Sequence, residues 1–217
     1  MIKNNLKEVR DTLDNGVCLV AVSKYHPIEA VEEAYAEGQR IFGESREQEL
    51  RIKHEALPKD IQWHFIGHLQ TNKVKYIAPY IAMIETVDSL KLMKEIDRQG
   101  AKYGRIIDVL LELHLAKEET KSGMTPNECL EMLEEGEWKG MRNVRICGIM
   151  TMASNTDNTE IIRREFTLAR DFFNEVKQRY FANNEAFSIK SYGMSHDYML
   201  AQECGSNHVR VGSRIFG

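Results

Sequence analysis

The feature that most limits the possible folds of this chain is a regular alternation of strand-like and helix-like segments. Each short apolar run is followed by a segment with apolar residues at helical spacing, which is typical of βαβ units and a parallel sheet. The apolar runs lie at 19–22, 40–43, 61–66, 81–84, 106–113, 145–150, 186–190 and 207–211. Eight such units favour a closed (β/α)8 TIM-type barrel over an open doubly wound sheet, which more often has about six strands.

The chain length agrees with a small barrel. The 217 residues lie close to the lower bound of about 200 residues for such barrels, so little room is left for inserted domains. We therefore predict a single domain over residues 1–217. An extra N-terminal helix is predicted over residues 2–13, where the apolar residues share one helical face.

Charge and composition exclude several kinds of partner. The net charge is −4 and no basic stripe is present, so neither nucleic acid nor a membrane surface is an expected partner. No apolar run approaches the roughly 18–20 residues of a membrane span, and the polar N-terminus is not a signal peptide. The four cysteines are far apart and form no C-x-x-C motif. They are expected to be reduced core residues of a cytoplasmic protein.

The first apolar run ends on a lysine, Lys24. In parallel barrels the carboxyl ends of the strands form the rim that carries the chemistry. A lysine amine at that rim can be partly desolvated and form a Schiff base with a carbonyl compound. The alternative is an ordinary solvated lysine, and this segment alone does not decide between them.

The last two strand-like runs lead into a second candidate site. Ser195 follows the seventh run and Gly212 and Ser213 follow the eighth. Barrels often bind phosphate with these two loops and a helix N-terminus, through backbone N–H groups, a hydroxyl and glycines that allow close approach. Ser195 can instead be a helix N-cap, and Gly212 can be a turn glycine.

The residue that precedes this loop, Arg210, lies between Val209 and Val211. If the two valines face the helices, the arginine points into the barrel and needs an acceptor there. A pyridine nitrogen and an ion pair with an inward acid such as Glu112 are equally good candidates.

Two histidines, His64 and His68, are four residues apart at a strand end. Because they do not share a helical face and no third ligand is evident, we expect no metal site.

Ten short stretches form a pattern that extends almost from end to end. They are Val20–Lys24, Phe42–Glu44, His64–Gly67, Leu69–Gln70, Asn72–Lys73, Lys121–Gly123, Gly148–Met152, Gly193–Ser195, Val209–Ser213 and Ile215–Gly217. In these stretches the chain resembles the pyridoxal phosphate homeostasis proteins. This family consists of small single-domain proteins that bind pyridoxal 5′-phosphate (PLP) and are related to the barrel domain of alanine racemase.

The resemblance implies roles for particular residues. Lys24 would bear PLP as a Schiff base, while Ser195, Gly212 and Ser213 would hold the phosphate and Arg210 would face the pyridine nitrogen. Two positions depart from the family. Ser45 stands where the family usually has asparagine, and the chain ends at Gly217 where many members continue with a short tail.

The function that the resemblance implies is PLP homeostasis, in which the protein holds PLP and supplies or buffers it without catalytic turnover. Arginine cannot accept a proton, so the ring nitrogen is expected to stay unprotonated, which weakens carbanion stabilisation. Racemases of the related fold take a second acid–base residue from another domain, which this chain is not expected to contain. We expect a monomer with PLP and apo PLP-dependent enzymes as partners. The alternatives are a PLP-dependent racemase or lyase, and a barrel without cofactor.

Overall fold

The computed structural model describes residues 1–115 and 122–217, so Lys121 of the family pattern lies outside the described residues. The described residues form a closed barrel of eight parallel strands surrounded by helices. The strands are β1 (Cys18–Val22), β2 (Ile41–Glu44), β3 (Gln62–Phe65), β4 (Met83–Val87), β5 (Ile107–Leu113), β6 (Val144–Thr151), β7 (Ile189–Ser191) and β8 (His208–Val211). The helices are α1 (Ile2–Asp11), α2 (Ile28–Ala36), α3 (Glu47–Ala56), α4 (Val74–Ile77), α5 (Leu90–Lys102), α6 (Pro126–Glu135), α7 (Thr159–Tyr180), α8 (Tyr198–Glu203) and α9 (Ser213–Phe216). The predicted barrel with an extra N-terminal helix is thus confirmed.

The strands follow one another around the barrel in sequence order, and β1 closes it by pairing with β8. In the pairing of β1 with β8, Val20 lies beside Arg210. In the pairing of β1 with β2, Val22 lies beside Gly43. Because all strands are parallel, their carboxyl ends meet at one end of the barrel. Closure therefore brings the residue after β1 next to the residues after β8.

Apolar side chains cover both faces of the sheet. The larger cluster lies between the strands and the helices and includes the fully buried Phe42, Trp63 and Phe166. A smaller cluster, Met83, Leu110, Cys147 and Met150, fills part of the barrel interior. Burial of one large apolar side chain contributes about 1.5–3 kcal/mol. This double coverage explains why β1 is a nearly continuous apolar run rather than an alternating one.

Side chains cap two of the predicted helices as the sequence suggested. Ser89 Oγ accepts a hydrogen bond from Leu92 N–H at 3.3 Å at the start of α5. Thr125 and Glu128 form a reciprocal capping box at the start of α6, with Pro126 as the first helical residue. Both caps satisfy N–H groups that a helix cannot bond internally.

Several predicted element boundaries are wrong, each for a local reason. Helix α3 begins at Glu47 rather than at Glu44 because Glu44 is still part of β2. Strand β4 extends to Val87 rather than ending at Ile84, since the polar Glu85 is buried inside the barrel. Strand β7 begins three residues late, because Asn184 holds the preceding segment in a turn by accepting the N–H groups of residues 186 and 187.

In residues 1–115 and 122–217, no helix combines the length and the apolar character that crossing a bilayer requires.

Candidate functional site

One cavity at the carboxyl ends of the strands contains all five residues that the sequence singled out. Its volume is about 300 Å³, at the small end of the range of roughly 300–1,000 Å³ for ligand cavities. Its lining residues are Val22, Lys24, Ile66, Met152, Met194, Ser195, His196, Arg210, Gly212 and Ser213. They lie at or just beyond the carboxyl ends of β1, β3, β6, β7 and β8, so closure of the barrel brings them together.

Lys24 lies in a turn two residues beyond the last residue of β1 and is half-buried. Within the described parts of the chain, Lys24 Nζ forms no hydrogen bond or ion pair. It lies 5.9 Å from the centroid of the Tyr25 ring. An amine without a protein partner at the edge of an apolar-walled cavity is free to react with a carbonyl group.

The two loops of the predicted phosphate site are linked directly. Gly212 N–H donates a hydrogen bond to Ser195 Oγ at 3.0 Å. The expectation that a helix starts at Ser195 is wrong, because α8 starts at Tyr198 with Asp197 as its N-cap. Asp197 Oδ1 instead accepts Met194 N–H at 2.6 Å and shapes the turn. The Ser195 hydroxyl therefore serves the loop contact and not a cap.

A short helix that the sequence did not predict, α9, begins immediately after Gly212. Ser213 is its first residue and is exposed at the cavity. The N–H groups of Ser213 and Arg214 precede the first hydrogen bonds of this short helix and have no partner among the described residues. The Ser213 hydroxyl and the adjoining N–H groups are thus suited to an anionic oxygen.

Arg210 reaches into the barrel, as its apolar neighbours indicated, and only 4% of it is exposed. Its Nη1 donates to Ser191 O at 2.8 Å and Ser191 Oγ at 2.5 Å, and its Nη2 donates to Thr151 O at 2.9 Å. Its acidic partner is Glu85, at 3.7 Å. An acid partner was expected as one alternative, but the proposed acid, Glu112, bonds to Ser122 instead. Two of the five guanidinium N–H groups have no partner in the described residues.

The buried carboxylate of Glu85 lies beside the guanidinium of Arg210. Glu85 is fully buried, with Oε1 at 2.7 Å from His64 Nδ1 and Oε2 accepting Ser191 Oγ–H at 2.6 Å. Burial raises the pKa of Glu85, but the hydrogen bond and charge of His64 and the charge of Arg210 outweigh it and lower the pKa to about 2. Glu85 is therefore a permanent negative charge that balances Arg210.

The histidines are not arranged to bind a metal. His64 lies inside the barrel against Glu85, whereas His68 is exposed and lies 3.5 Å from Asp88. No group of three metal-ligating side chains is found in the part of the chain that the structure describes.

Two residues near the site have positions that sequence reasoning did not anticipate. His196 lines the cavity beside Ser195, with its Nε2 at 3.2 Å from Asp197 Oδ2. Its place next to a candidate phosphate-binding serine was the signal that could have identified it. Ser45, the departure from the family pattern, lines a separate cavity of about 370 Å³ together with Phe65 and His68.

The fold and the cavity place this chain among the barrels of the alanine racemase type. All 217 residues match the family described as "Alanine racemase, N-terminal domain". An alanine racemase of Clostridium difficile shares only this fold, at 17% identity and a TM-score of 0.81 over all of this chain and 56% of that one.

Relatives of higher identity define the family more narrowly. A pyridoxal phosphate homeostasis protein of Aquifex aeolicus is 38% identical over 94% of this chain and 88% of its own length. PipY of Synechococcus elongatus, whose structure was solved with PLP bound, is 33% identical with a TM-score of 0.90 over the full length of both chains. The chain belongs to the pyridoxal phosphate homeostasis protein family, as its sequence pattern indicated.

Proposed function

We propose that this chain, as one domain over residues 1–217, binds PLP as a Schiff base on Lys24 and serves intracellular PLP homeostasis by holding, supplying or buffering it. The observation that carries the proposal is the single cavity that joins Lys24 to Ser195, Arg210, Gly212 and Ser213. Membership of the family and the PLP-bound structure of PipY agree with it.

The chemistry of the lining residues fits PLP. PLP carries an aldehyde, an aromatic ring with a pyridine nitrogen and a phosphate. The cavity offers one amine that has no hydrogen-bond or ion-pair partner in residues 1–115 and 122–217. It also offers apolar walls from Val22, Ile66 and two methionines, and hydroxyl and N–H donors at the Ser195 and Ser213 loops.

Each polar residue then has one task. Lys24 would supply the amine for the Schiff base with the aldehyde of PLP, a condensation that releases water. Ser213 and the N–H groups at the start of α9 would hold the phosphate, and the Ser195–Gly212 hydrogen bond keeps the two loops together. Arg210, which lies beside Glu85, would donate a hydrogen bond to the ring nitrogen.

This arrangement favours storage over turnover. PLP stabilises carbanions best when its ring nitrogen is protonated, and a charged arginine cannot supply that proton to the ring as an acid would. We propose that PLP passes from this protein to apo PLP-dependent enzymes, and that the protein is a cytoplasmic monomer. The free thiols of all four cysteines agree with a reducing compartment.

Absorbance of the purified protein near 420 nm tests the binding proposal. Wild-type protein mixed with PLP is expected to show the Schiff-base band, and borohydride is expected to fix PLP to residue 24 in a peptide digest. Lys24→Ala is expected to lose both signals. Lys73→Ala, which removes a lysine from the separate Ser45 cavity, is the control and should keep both. A band that survives Lys24→Ala would refute the assignment.

Delivery is tested with an apo PLP-dependent enzyme. Loaded wild-type protein is expected to restore the activity of the enzyme faster than loaded protein whose Schiff base has been reduced. Equal rates would contradict transfer.

An amino-acid racemase or lyase is the second candidate, and His196 is the observation that favours it. This imidazole is the second titratable acid–base group on the cavity besides Lys24. Incubation of loaded protein with alanine in D₂O, read by exchange of the α-hydrogen, distinguishes the two functions. Fast exchange that His196→Asn abolishes would establish an enzyme; no exchange above free PLP is expected.

A further inference from the structure

The turn that carries Lys24 has an unusual backbone. Ser23 O accepts a hydrogen bond from His26 N–H at 3.1 Å, so residues 23–26 form a β-turn with Lys24 and Tyr25 at its centre. Tyr25 has φ of +68°, and it is the one non-glycine residue with positive φ among the described residues. Non-glycine residues avoid this region unless their surroundings hold them there, and such residues cluster at functional sites.

Two side chains of α3 hold this turn. Lys53 Nζ donates to Ser23 O at 2.7 Å, and Glu49 Oε1 accepts Tyr25 N–H at 2.7 Å. Lys53 and Glu49 also bond to each other at 2.9 Å. Together they fix the peptide groups on both sides of Lys24.

Lys53 Nζ is buried and uses all of its hydrogen-bond donors in this cluster. Only 3% of its side chain is exposed, and its third hydrogen bond goes to Glu44 Oε1 at 2.7 Å. Glu44 is completely buried and also accepts Ser23 Oγ–H at 2.6 Å. An ammonium group has three N–H donors, and all three are used here. A buried charge is costly unless it is fully paired, so this cluster is tied to one geometry.

We propose that Lys53 and Glu49 are positioning residues for the Schiff-base reaction of Lys24. This inference rests on the proposed function. Lys53 touches neither the cavity nor its ligand, and it acts by holding the Ser23–His26 turn. The reaction joins Lys24 Nζ to the aldehyde carbon and releases water, and it requires the amine to approach that carbon closely. Loss of the α3 contacts frees the turn, so the amine spends less time in the reactive position.

The same helix provides a matched control. Glu47 of α3 pairs with Lys73 at 2.9 Å, which resembles the Lys53–Glu49 pair in kind and in length. In the described residues, neither Glu47 nor Lys73 bonds to the turn at residues 23–26. Lys73→Met therefore removes an ion pair from α3 without releasing Lys24.

The experiment compares two ligands in full-length protein. PLP reports binding plus Schiff-base formation through absorbance near 420 nm. Pyridoxine 5′-phosphate has the same ring and phosphate but an alcohol in place of the aldehyde, so it reports non-covalent binding alone. In Lys53→Met we expect the dissociation constant of PLP to rise at least tenfold, while that of pyridoxine 5′-phosphate stays within twofold of wild type. Lys73→Met is expected to change neither constant by more than twofold.

Lys53→Met leaves Glu44 buried without its cation and can therefore fail to fold. Glu49→Ala is the second variant, because Glu49 is partly exposed. Its removal takes away the acceptor of Tyr25 N–H and one of the three acceptors of Lys53, while Glu44 keeps its cation. We expect the PLP constant to rise about threefold or more, again with no change for pyridoxine 5′-phosphate.

The inference is overturned if a folded variant binds PLP as wild type does, or if both ligands weaken equally, which would indicate a general structural role. A wild-type protein without the 420 nm band would instead refute the proposed function itself.

Discussion

Replacement of Glu85 by glutamine tests whether the barrel interior depends on a permanent charge. Glutamine keeps the shape of the side chain and an oxygen that can still accept a hydrogen bond. It removes the charge that faces Arg210 at 3.7 Å and His64 Nδ1 at 2.7 Å. The buried guanidinium then has no counter-charge in direct contact among the described residues.

The expected loss of stability can be estimated in two ways. Burial raises the pKa of Glu85, but His64 and Arg210 lower it further, from 4.5 to about 2. A difference of one in pKa corresponds to about 1.36 kcal/mol, so the ionised form contributes roughly 3 kcal/mol at neutral pH. Removal of one partner from a buried ion pair typically costs about 3–5 kcal/mol. We therefore expect Glu85→Gln to lower the free energy of unfolding by about 3–5 kcal/mol.

Urea unfolding of both proteins from pH 7 to pH 3 measures this effect. The pKa of Glu85 is depressed in the folded state, so its stabilisation is complete above the unfolded value of 4.5 and is lost as pH falls toward 2. The difference between wild type and Glu85→Gln should shrink as the pH falls below about 5.

The control is Glu203→Gln, which breaks an exposed, singly bonded pair with Arg163 and should cost less than about 1 kcal/mol. A Glu85→Gln effect as small as the control, or one that does not change with pH, would refute the reasoning.

The remaining predictions concern the two loops of the site. Ser195→Ala removes the acceptor of Gly212 N–H, and we expect a loss of about 1 kcal/mol in PLP binding, near fivefold in the dissociation constant measured by absorbance. Unchanged affinity would show that the bond is not needed. Gly193→Ala should destabilise the fold by about 2 kcal/mol or more, since its φ is +90° and the new Cβ would lie 2.6 Å from Ala201 Cβ. Gly16→Ala is the comparison for backbone strain alone, because Gly16 has φ of +86° and a Cβ added there would have no atom within 4 Å. It should lower the free energy of unfolding, measured by thermal unfolding, by only about 1–2 kcal/mol. Equal losses for the two variants would contradict crowding at residue 193.

The barrel was predictable because its signal is repeated along the chain. Each unit shows the same change from an apolar run to helical periodicity, so errors of a few residues at β4 or β7 do not alter the topology. The error at β4 shows what sequence patterns miss. Sequence patterns treat a polar residue as exposed, but Glu85 is polar and buried because His64, Ser191 and Arg210 satisfy it inside the barrel.

The site residues that lie at the ends of strands were predictable from the sequence. The cavity unites Lys24, Ser195, Arg210, Gly212 and Ser213, and their positions follow from closure of the sheet alone. Their role as ligands of PLP stays a prediction until the absorbance experiment is done.

The supporting residues could not be found in this way. Lys53 lies in a charged helix and has the spacing of an ordinary surface residue, yet the structure buries it against Ser23 and Glu44. The partner of Arg210 illustrates the same limit. Glu85 and Glu112 are both acids on neighbouring strands, and only the register of the closed barrel decides between them.

The pairing of β1 with β8 also sets the order in which the protein can become functional. During synthesis on the ribosome, Lys24 emerges early and the Ser195 and Gly212 loops emerge late. Until they do, the cavity lacks the lining residues that follow β7 and β8. If the cavity binds PLP as proposed, a chain that lacks β8 would lack this part of the binding site. A ligand that binds only the finished barrel also protects it from unfolding, by about 2.7 kcal/mol at a hundredfold excess over its dissociation constant.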